Sequence, residues 1–340
     1  PDAAQRTRIW KNHIPEKMRL SDQPDFDALG YRYELTGGLI KNAILAALSS
    51  AASRAPDAPE VTPEDLENAA RSQMTARLQM TDARDRVVPS HGLNRVVLPA
   101  ALRASLNDLI DMQKARRTLV SEWGFDDNSA GFGATALFHG PSGTGKTLAA
   151  MAVAYELGQA VKRVNVARVV SKWVGEGAKN IESVFDEAEH SGAVLLFDEA
   201  DALFAGRSPV ASATDRYANL EVAALLQRLE EFNGVAILTT NLFENIDKAF
   251  LRRIRFVLEF PRPGKAERER MWKLHIPDQL PLADDVDLPA LANEFSISGG
   301  QIRNAVLKSA AKAAAGTERK IVDQTVLRAA ARDEQGASSE

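Results

Sequence analysis

The chain has 340 residues, 45% of them hydrophobic, and 42 Lys and Arg stand against 46 Asp and Glu for a net charge of −4. That size allows two or three domains with sizeable cores, and the near-balanced charge offers no basic footprint for nucleic acid. With no cysteine, disulfide frameworks and thiolate metal sites are excluded; apolar runs such as Ala193 to Phe197 are too short to cross a bilayer, and no signal peptide is visible. The expectation is a cytoplasmic chain that binds neither nucleic acid nor membrane.

The first eighty residues are predicted helical. Ile40, Ala43, Ile44 and Ala47 recur on one helical face, and residues 53–63 form a turn-rich break. Thr62-Pro63-Glu64-Asp65 then opens a helix: Thr62 can cap it, Pro63 takes the first position and Asp65 favours the dipole. Residues 82–134 connect this part to the next. Pro89, Gly92, Asp126-Asp127-Asn128 and Gly131 mark turns there, while Leu102, Leu106, Leu109, Ile110 and Met112 predict a helix. The apolar stretch Leu93 to Pro99 has two readings, a wall of an adenine pocket or plain core.

Thr135 to Phe138 is short, apolar and β-prone. It runs into Gly140-Pro141-Ser142-Gly143-Thr144-Gly145-Lys146-Thr147, which has the G-x-x-x-x-G-K-T spacing of a phosphate-binding loop. Leu148, Met151, Ala152 and Tyr155 follow at helical spacing. Glycines let the backbone curl so that its N–H groups converge on phosphate oxygens, and the helix N-terminus adds the positive end of its dipole. Lys146 is expected on the β- and γ-phosphates and the Thr147 hydroxyl on Mg²⁺. The predicted ligands are therefore the phosphates of a nucleotide and Mg²⁺, held by residues 140–148.

Beyond Gly158, Val161 to Val166 reads as a strand, and Ile181, Val184, Phe185 and Ala188 mark a helix closed by Gly192. Ala193 to Phe197 is a fully buried strand by its unbroken apolarity. Leu220, Leu225, Leu226, Leu229 and Phe232 make a long helix, Val235 to Thr239 another strand, and Arg255 to Phe260 a short one before Pro261. Strands alternating with helices predict an α/β fold, a parallel sheet covered on both faces with ligands at the carboxyl ends of its strands. Phe197 is followed there by Asp198-Glu199-Ala200-Asp201. Asp198 is expected to hold Mg²⁺ through water, and Glu199 to orient or deprotonate the attacking water.

The chain also repeats itself. Pro1 to Leu45 aligns without a gap on Pro263 to Leu307, and twenty of the forty-five pairs are identical. Trp10-Lys11 meets Trp272-Lys273, His13-Ile14-Pro15 meets His275-Ile276-Pro277, Asp22 and Asp25 meet Asp284 and Asp287, and Gly37-Gly38 meets Gly299-Gly300. The second copy follows the P-loop unit. The simplest expectation is that the first copy is the tail of a preceding unit in a longer tandem protein; the alternative is a small helical domain duplicated alone.

Taken together, these stretches resemble the AAA+ ATPases, specifically the classic AAA group. Gly140 to Thr147 is similar to Walker A and Leu195 to Glu199 to Walker B. Thr239-Thr240-Asn241 is similar to sensor 1, which implies that Asn241 contacts the γ-phosphate or positions the water. Asn245 to Phe256 resembles the arginine-finger segment. It lacks the usual Gly before the last Arg-Phe, so which of Arg252, Arg253 and Arg255 reach a neighbour's phosphate stays open, with Arg253 the first choice. Lys172-Trp173-Val174-Gly175-Glu176 resembles the first pore loop, in which the aromatic, here Trp173, grips a polypeptide. Gly300 stands where other AAA+ groups carry the sensor 2 arginine, and Arg303 lies three residues on. A narrower resemblance joins Glu122-Trp123-Gly124-Phe125, Asp215-Arg216-Tyr217-Ala218-Asn219 and Phe250 to Arg253 to the ATPases of bacterial extracellular contractile injection systems, which are implied to act in assembly or remodelling of the particle.

The resemblance implies a helical lid remnant over 1–81, an AAA+ P-loop large domain over 82–262 and a helical lid over 263–335. It implies ATP hydrolysis in a self-assembled ring, a hexamer, that threads or remodels a protein partner. The rival from another class is an assembly scaffold that binds ATP to form a ring and threads nothing. A P-loop kinase or GTPase fits less well, since no guanine-reading Asn-Lys-x-Asp follows the P-loop.

Overall fold

The computed structural model describes residues 1, 3–15, 18–33, 35–56, 58–80, 86–125, 133–164, 177–201, 223–315 and 320–336. They form two compact units, residues 1–90 with 154–163, and residues 91–153 with 164–340.

In the first unit, α1 (Ala3–His13), α2 (Phe26–Arg32), α3 (Gly37–Arg54) and α4 (Pro63–Met80) enclose a core centred on Trp10, Leu35, Ile40, Ala43 and Leu66. Two short strands, β1 (Arg19–Leu20) and β2 (Glu60–Val61), pair in parallel beside the helices. The start of α4 is a capping box. The Asp65 backbone N–H donates to Thr62 Oγ1 at 3.1 Å, and the Thr62 N–H donates back to Asp65 Oδ2 at 2.9 Å. Arg54 closes the same carboxylate in a fork, 3.0 and 2.8 Å to its two oxygens. At the far end of this unit β3 (Arg86–Val87) runs antiparallel to β5 (Val161–Val164).

The second unit is built on four parallel strands in the order β6 (Val194–Phe197), β7 (Val235–Thr240), β4 (Ala134–His139) and β8 (Phe256–Glu259). β6 and β7 are buried at every position; β6 is apolar throughout, and β7 is apolar up to the buried Thr239 and Thr240 at its end. α5 (Ala100–Ser121) precedes the sheet and α6 (Lys146–Leu157) follows β4. α7 (Gly177–Ser191) and α8 (residues 223–231) pack on the sheet through Phe185, Leu225 and Leu229, which meet Phe197, Phe232 and Leu238. The architecture is the expected α/β P-loop fold.

After β8 and the short α9 (Lys248–Leu251) that precedes it, four helices close the chain: α10 (Lys265–His275), α11 (Leu288–Glu294), α12 (Gly299–Ala315) and α13 (Gln324–Gly336). Their core is Trp272, Leu291, Phe295, Ile302, Ala305 and Leu327. The sequence repeat is also a structural one. Bounds of α1 and α10, and of α2 and α11, differ by the same 262 positions. In the first unit the buried Arg6 donates from Nε to the Gly30 carbonyl at 2.7 Å and from Nη1 to the Pro1 carbonyl at 2.6 Å. Arg268 makes the equivalent bonds to Ala292 at 2.9 Å and Pro263 at 2.6 Å. Asp25 and Asp287 cap their helices through Ala28 and Ala290, and Trp10 and Trp272 are both fully buried. The shared residues are thus those on which the four-helix arrangement depends.

Candidate functional site

The loop between β4 and α6 is shaped by its glycines. Gly140, Gly143 and Gly145 all have positive φ. At Gly140 (φ 135°) a Cβ would lie 2.3 Å from the Phe260 carbonyl oxygen, and at Gly143 (φ 76°) 2.6 Å from the Ser298 hydroxyl. Side chains at these two places would collide with the end of β8 and the start of α12, so only glycine lets the loop curl under them.

Lys146 opens α6 and is largely buried. Its Nζ donates three hydrogen bonds, to the Gly140 carbonyl at 2.7 Å, the Pro141 carbonyl at 2.8 Å and Asn241 Oδ1 at 2.8 Å. Burial pushes its pKa down, while Asp201 and Asp198 pull it back up. Thr144 donates to the Pro141 carbonyl at 2.9 Å and tightens the turn. Thr147, one residue further along α6, donates from its hydroxyl to Asp198 Oδ1 at 2.8 Å.

Asp198 and Glu199 leave the carboxyl end of β6. Glu199 has φ 54°, the one positive-φ position that is not glycine among the described residues. The end of β7 is laced to this turn. Thr239 donates to Asp198 Oδ1 at 2.7 Å, the Glu199 N–H donates to Thr239 Oγ1 at 2.9 Å, the Asn241 N–H donates to Asp201 at 3.1 Å, and Thr240 donates to Asp201 as well.

A cavity of about 340 Å³ lies over this assembly. Its floor comes from residues 142–148 with Asp198, Glu199, Thr239 and Asn241. Opposite stand Arg95, Val96 and Val97 on one side, and Met271, Leu274, His275, Gly299, Gly300 and Arg303 of the C-terminal helices on the other. The Leu93–Pro99 stretch therefore combines its two readings: Val96 and Val97 line the cavity, while Val96 and Leu98 are buried. Burial, reinforced by Arg303, lowers the pKa of His275, which lines the cavity. A glycine-rich loop and a lysine, with Val96, Val97 and Met271 as apolar lining in the same cavity, suit a nucleotide. Thr147 and Asp198 supply the hard oxygen donors that Mg²⁺ takes alongside phosphate oxygens, so they fit the expected metal.

Ser142 to Leu148, Asp198, Glu199 and Asn241 all line this one cavity. Gly140 and Pro141 act from behind the loop, through carbonyls that fix Lys146. Leu148, counted with the loop as a candidate binder, lines the cavity and is about half exposed. Arg252, Arg253 and Arg255 are exposed and outside the cavity lining. Arg253 pairs with Glu230 at 2.6 Å, and Arg255 reaches the Met112 sulfur at 3.7 Å. Lys172, Trp173 and Val174 lie outside the described residues. Sequence reasoning gave no role to Thr239 or Met271, and met His275 only as a member of the repeat.

Residues 136–262 match the ATPase family associated with various cellular activities (AAA). The chain is 30% identical to the cell division cycle protein 48 homolog of Archaeoglobus fulgidus over 333 residues, 91% of this chain and 44% of that protein. It is 36% identical to the ATP-dependent zinc metalloprotease FtsH of Lachnoclostridium phytofermentans over 186 residues, 52% of this chain and 32% of that protein. With proteasome-activating nucleotidase 1 of Haloferax volcanii it shares 31% identity over 212 residues, 60% and 51% of the two chains. These alignments span between about a third and a half of each relative's length.

Proposed function

Because this chain carries an AAA ATPase domain, we propose that it hydrolyses ATP within a ring of its own copies and uses that hydrolysis to remodel or thread a protein partner. One observation carries the proposal: two hydrogen-bonded pairs, Lys146 with Asn241 and Thr147 with Asp198, line one cavity together with residues of the C-terminal helices. In this reading Lys146 and the loop N–H groups hold the phosphates, and Thr147 and Asp198 hold Mg²⁺, which supplies charge neutralisation on the phosphates. Glu199 takes the proton of the attacking water, and Asn241 orients that water or the γ-phosphate.

Ring formation is supported by the three arginines. They sit on the surface after α9, away from the chain's own cavity, as donation to a neighbouring copy requires. The match with the cell division cycle protein 48 homolog, which runs through both units, supports a tandem arrangement in which residues 1–81 are the lid of a second module. Threading rests on the likeness of Lys172-Trp173-Val174 to a pore loop. That the protein partner belongs to a contractile injection particle in the cytoplasm rests on the phrasing of Glu122 to Phe125 and Asp215 to Asn219. No helix among the described residues is long and apolar enough to cross a membrane.

The test is phosphate release from ATP by the purified chain, run beside unfolding of a fluorescent protein that carries an unstructured tail. The wild type should do both, and Trp173→Ala should keep hydrolysis and lose unfolding. No hydrolysis at any protein concentration overturns the proposal; unfolding that survives Trp173→Ala overturns the threading part and leaves the scaffold reading.

A further inference from the structure

Thr239 stands at the carboxyl end of β7, 2% exposed, with its side chain against the turn that follows β6. Its hydroxyl has one proton, and that proton goes to Asp198 Oδ1 at 2.7 Å. The oxygen is thereby oriented to accept, and it accepts from the Glu199 N–H at 2.9 Å. The Thr239 carbonyl takes the next N–H, that of Ala200, at 2.8 Å. One residue thus fixes three successive residues of the acidic turn.

The middle one is Glu199, whose left-handed backbone (φ 54°) is disfavoured for any residue with a Cβ. A turn held in such a conformation needs contacts that over-determine it, and strain of this kind gathers at functional sites. Thr239 supplies the contact at the backbone N–H of that residue. Asp198 Oδ1 meanwhile accepts from both Thr147 and Thr239, so the hydroxyl of Thr239 also sets the carboxylate's rotation against α6. An alanine would keep the backbone bond to Ala200 and lose both bonds of the hydroxyl, to Asp198 and from the Glu199 N–H.

We propose that Thr239 is a positioning residue for hydrolysis, holding the Asp198 carboxylate and the Glu199 backbone in register so that the Glu199 side chain is aimed at the attacking water. This rests on the ATPase reading of the same site. It acts through two other residues, so its loss should fall on turnover and spare nucleotide binding, which depends on the loop and Lys146.

The experiment compares wild type, Thr239→Val, Thr239→Ala, Thr239→Ser and Glu199→Gln in the full chain. Steady-state phosphate release gives kcat and KM, fluorescent ATP titration gives affinity, and thermal melting reports folding. Val keeps the shape without the hydroxyl, and Ala guards against a fold that rejects Val. Expected are a kcat about ten- to a hundredfold lower for Val and Ala, KM and affinity within about threefold of wild type, and recovery by Ser to within about threefold. An inactive Glu199→Gln beside fully active Val and Ala variants overturns this inference alone. Full turnover in Glu199→Gln as well overturns the reading of the site. A Val or Ala variant that loses affinity as much as kcat, without rescue by Ser, shows Thr239 to be a packing residue and overturns the inference too.

Discussion

Lys146 Nζ lies 2.8 Å from Asn241 Oδ1 and donates to it, so the phosphate loop and the end of β7 are joined by one charge-assisted hydrogen bond. The other two ammonium protons go to the Gly140 and Pro141 carbonyls. Three donors meet three acceptors, and that is how a cation is kept in a half-buried place. A triphosphate entering the loop exchanges part of this set for phosphate oxygens, and because Asn241 is a partner from the start, it reports directly on what fills the loop.

Lys146→Ala removes the lysine of the phosphate loop from the cavity lining. Hydrogen bonds to charged groups contribute about 1.5–3 kcal/mol each, so ATP affinity should fall by at least about a hundredfold. Fluorescent nucleotide titration reads this directly, and an unchanged affinity would contradict the loop's assignment.

Asn241→Ala should behave differently. It frees Lys146 from one partner and leaves the phosphate cradle intact, so affinity should stay within a few fold. Turnover should fall about ten- to a hundredfold through loss of an oriented polar group at the reacting phosphate. A change confined to KM would mean that Asn241 serves only to tether the lysine.

Glu199→Gln keeps the side chain's shape and removes the base. ATP should still bind, and kcat should fall by about 10²–10⁴, the usual contribution of a positioned general base. Single-turnover phosphate release separates this from slow product release.

Activity per chain should rise with protein concentration, because Arg252, Arg253 and Arg255 lie outside their own chain's cavity lining and are proposed to serve a neighbour's. Replacing Arg252, Arg253 and Arg255 together by Ala should abolish turnover, an arginine acting in trans contributing about 10³–10⁵. Adding Glu199→Gln chains should restore part of it, since they still donate arginines to a neighbour with an intact Glu199. Flat specific activity on dilution, with no restoration on mixing, would show the site complete within one chain.

Asp65 links acid sensitivity to the first unit. Hydrogen bonding from Arg54 holds its carboxyl well below the usual carboxylate range; burial opposes this, and the Thr62 donors add to the lowering. A depressed folded-state pKa means that the stabilisation is present at neutral pH and is lost as pH falls below the ordinary range of a free Asp, about 4. Asp65→Asn should therefore cost about 1 kcal/mol at pH 7, the worth of a helix cap, and that difference should shrink on acidification. An equal gap in melting temperature at pH 7 and pH 3 would show the charge to be irrelevant.

The phosphate loop, the acid pair and the β7 terminus were legible in the sequence because each is a short contiguous run. Its function depends on backbone geometry within a few residues: glycines at Gly140 and Gly143, an apolar strand ending in Asp198, a strand ending in Asn241. The repeat was legible for a similar reason. Arg6 and Arg268 lock their own helices by bonds to nearby carbonyls, so the residues that make the fold recur with it.

What only the tertiary structure decided lies where distant segments meet. Met271 and His275 lie far from the phosphate loop in the chain, and nothing local to either marks a binding wall. Glu199's left-handed turn and the hydroxyl of Thr239 that holds it belong together only because β6 and β7 are neighbours in the sheet. A side chain's hydrogen-bond partner is set by which strand lies beside its own, and that is fixed by the packing of the whole core rather than by the residues on either side.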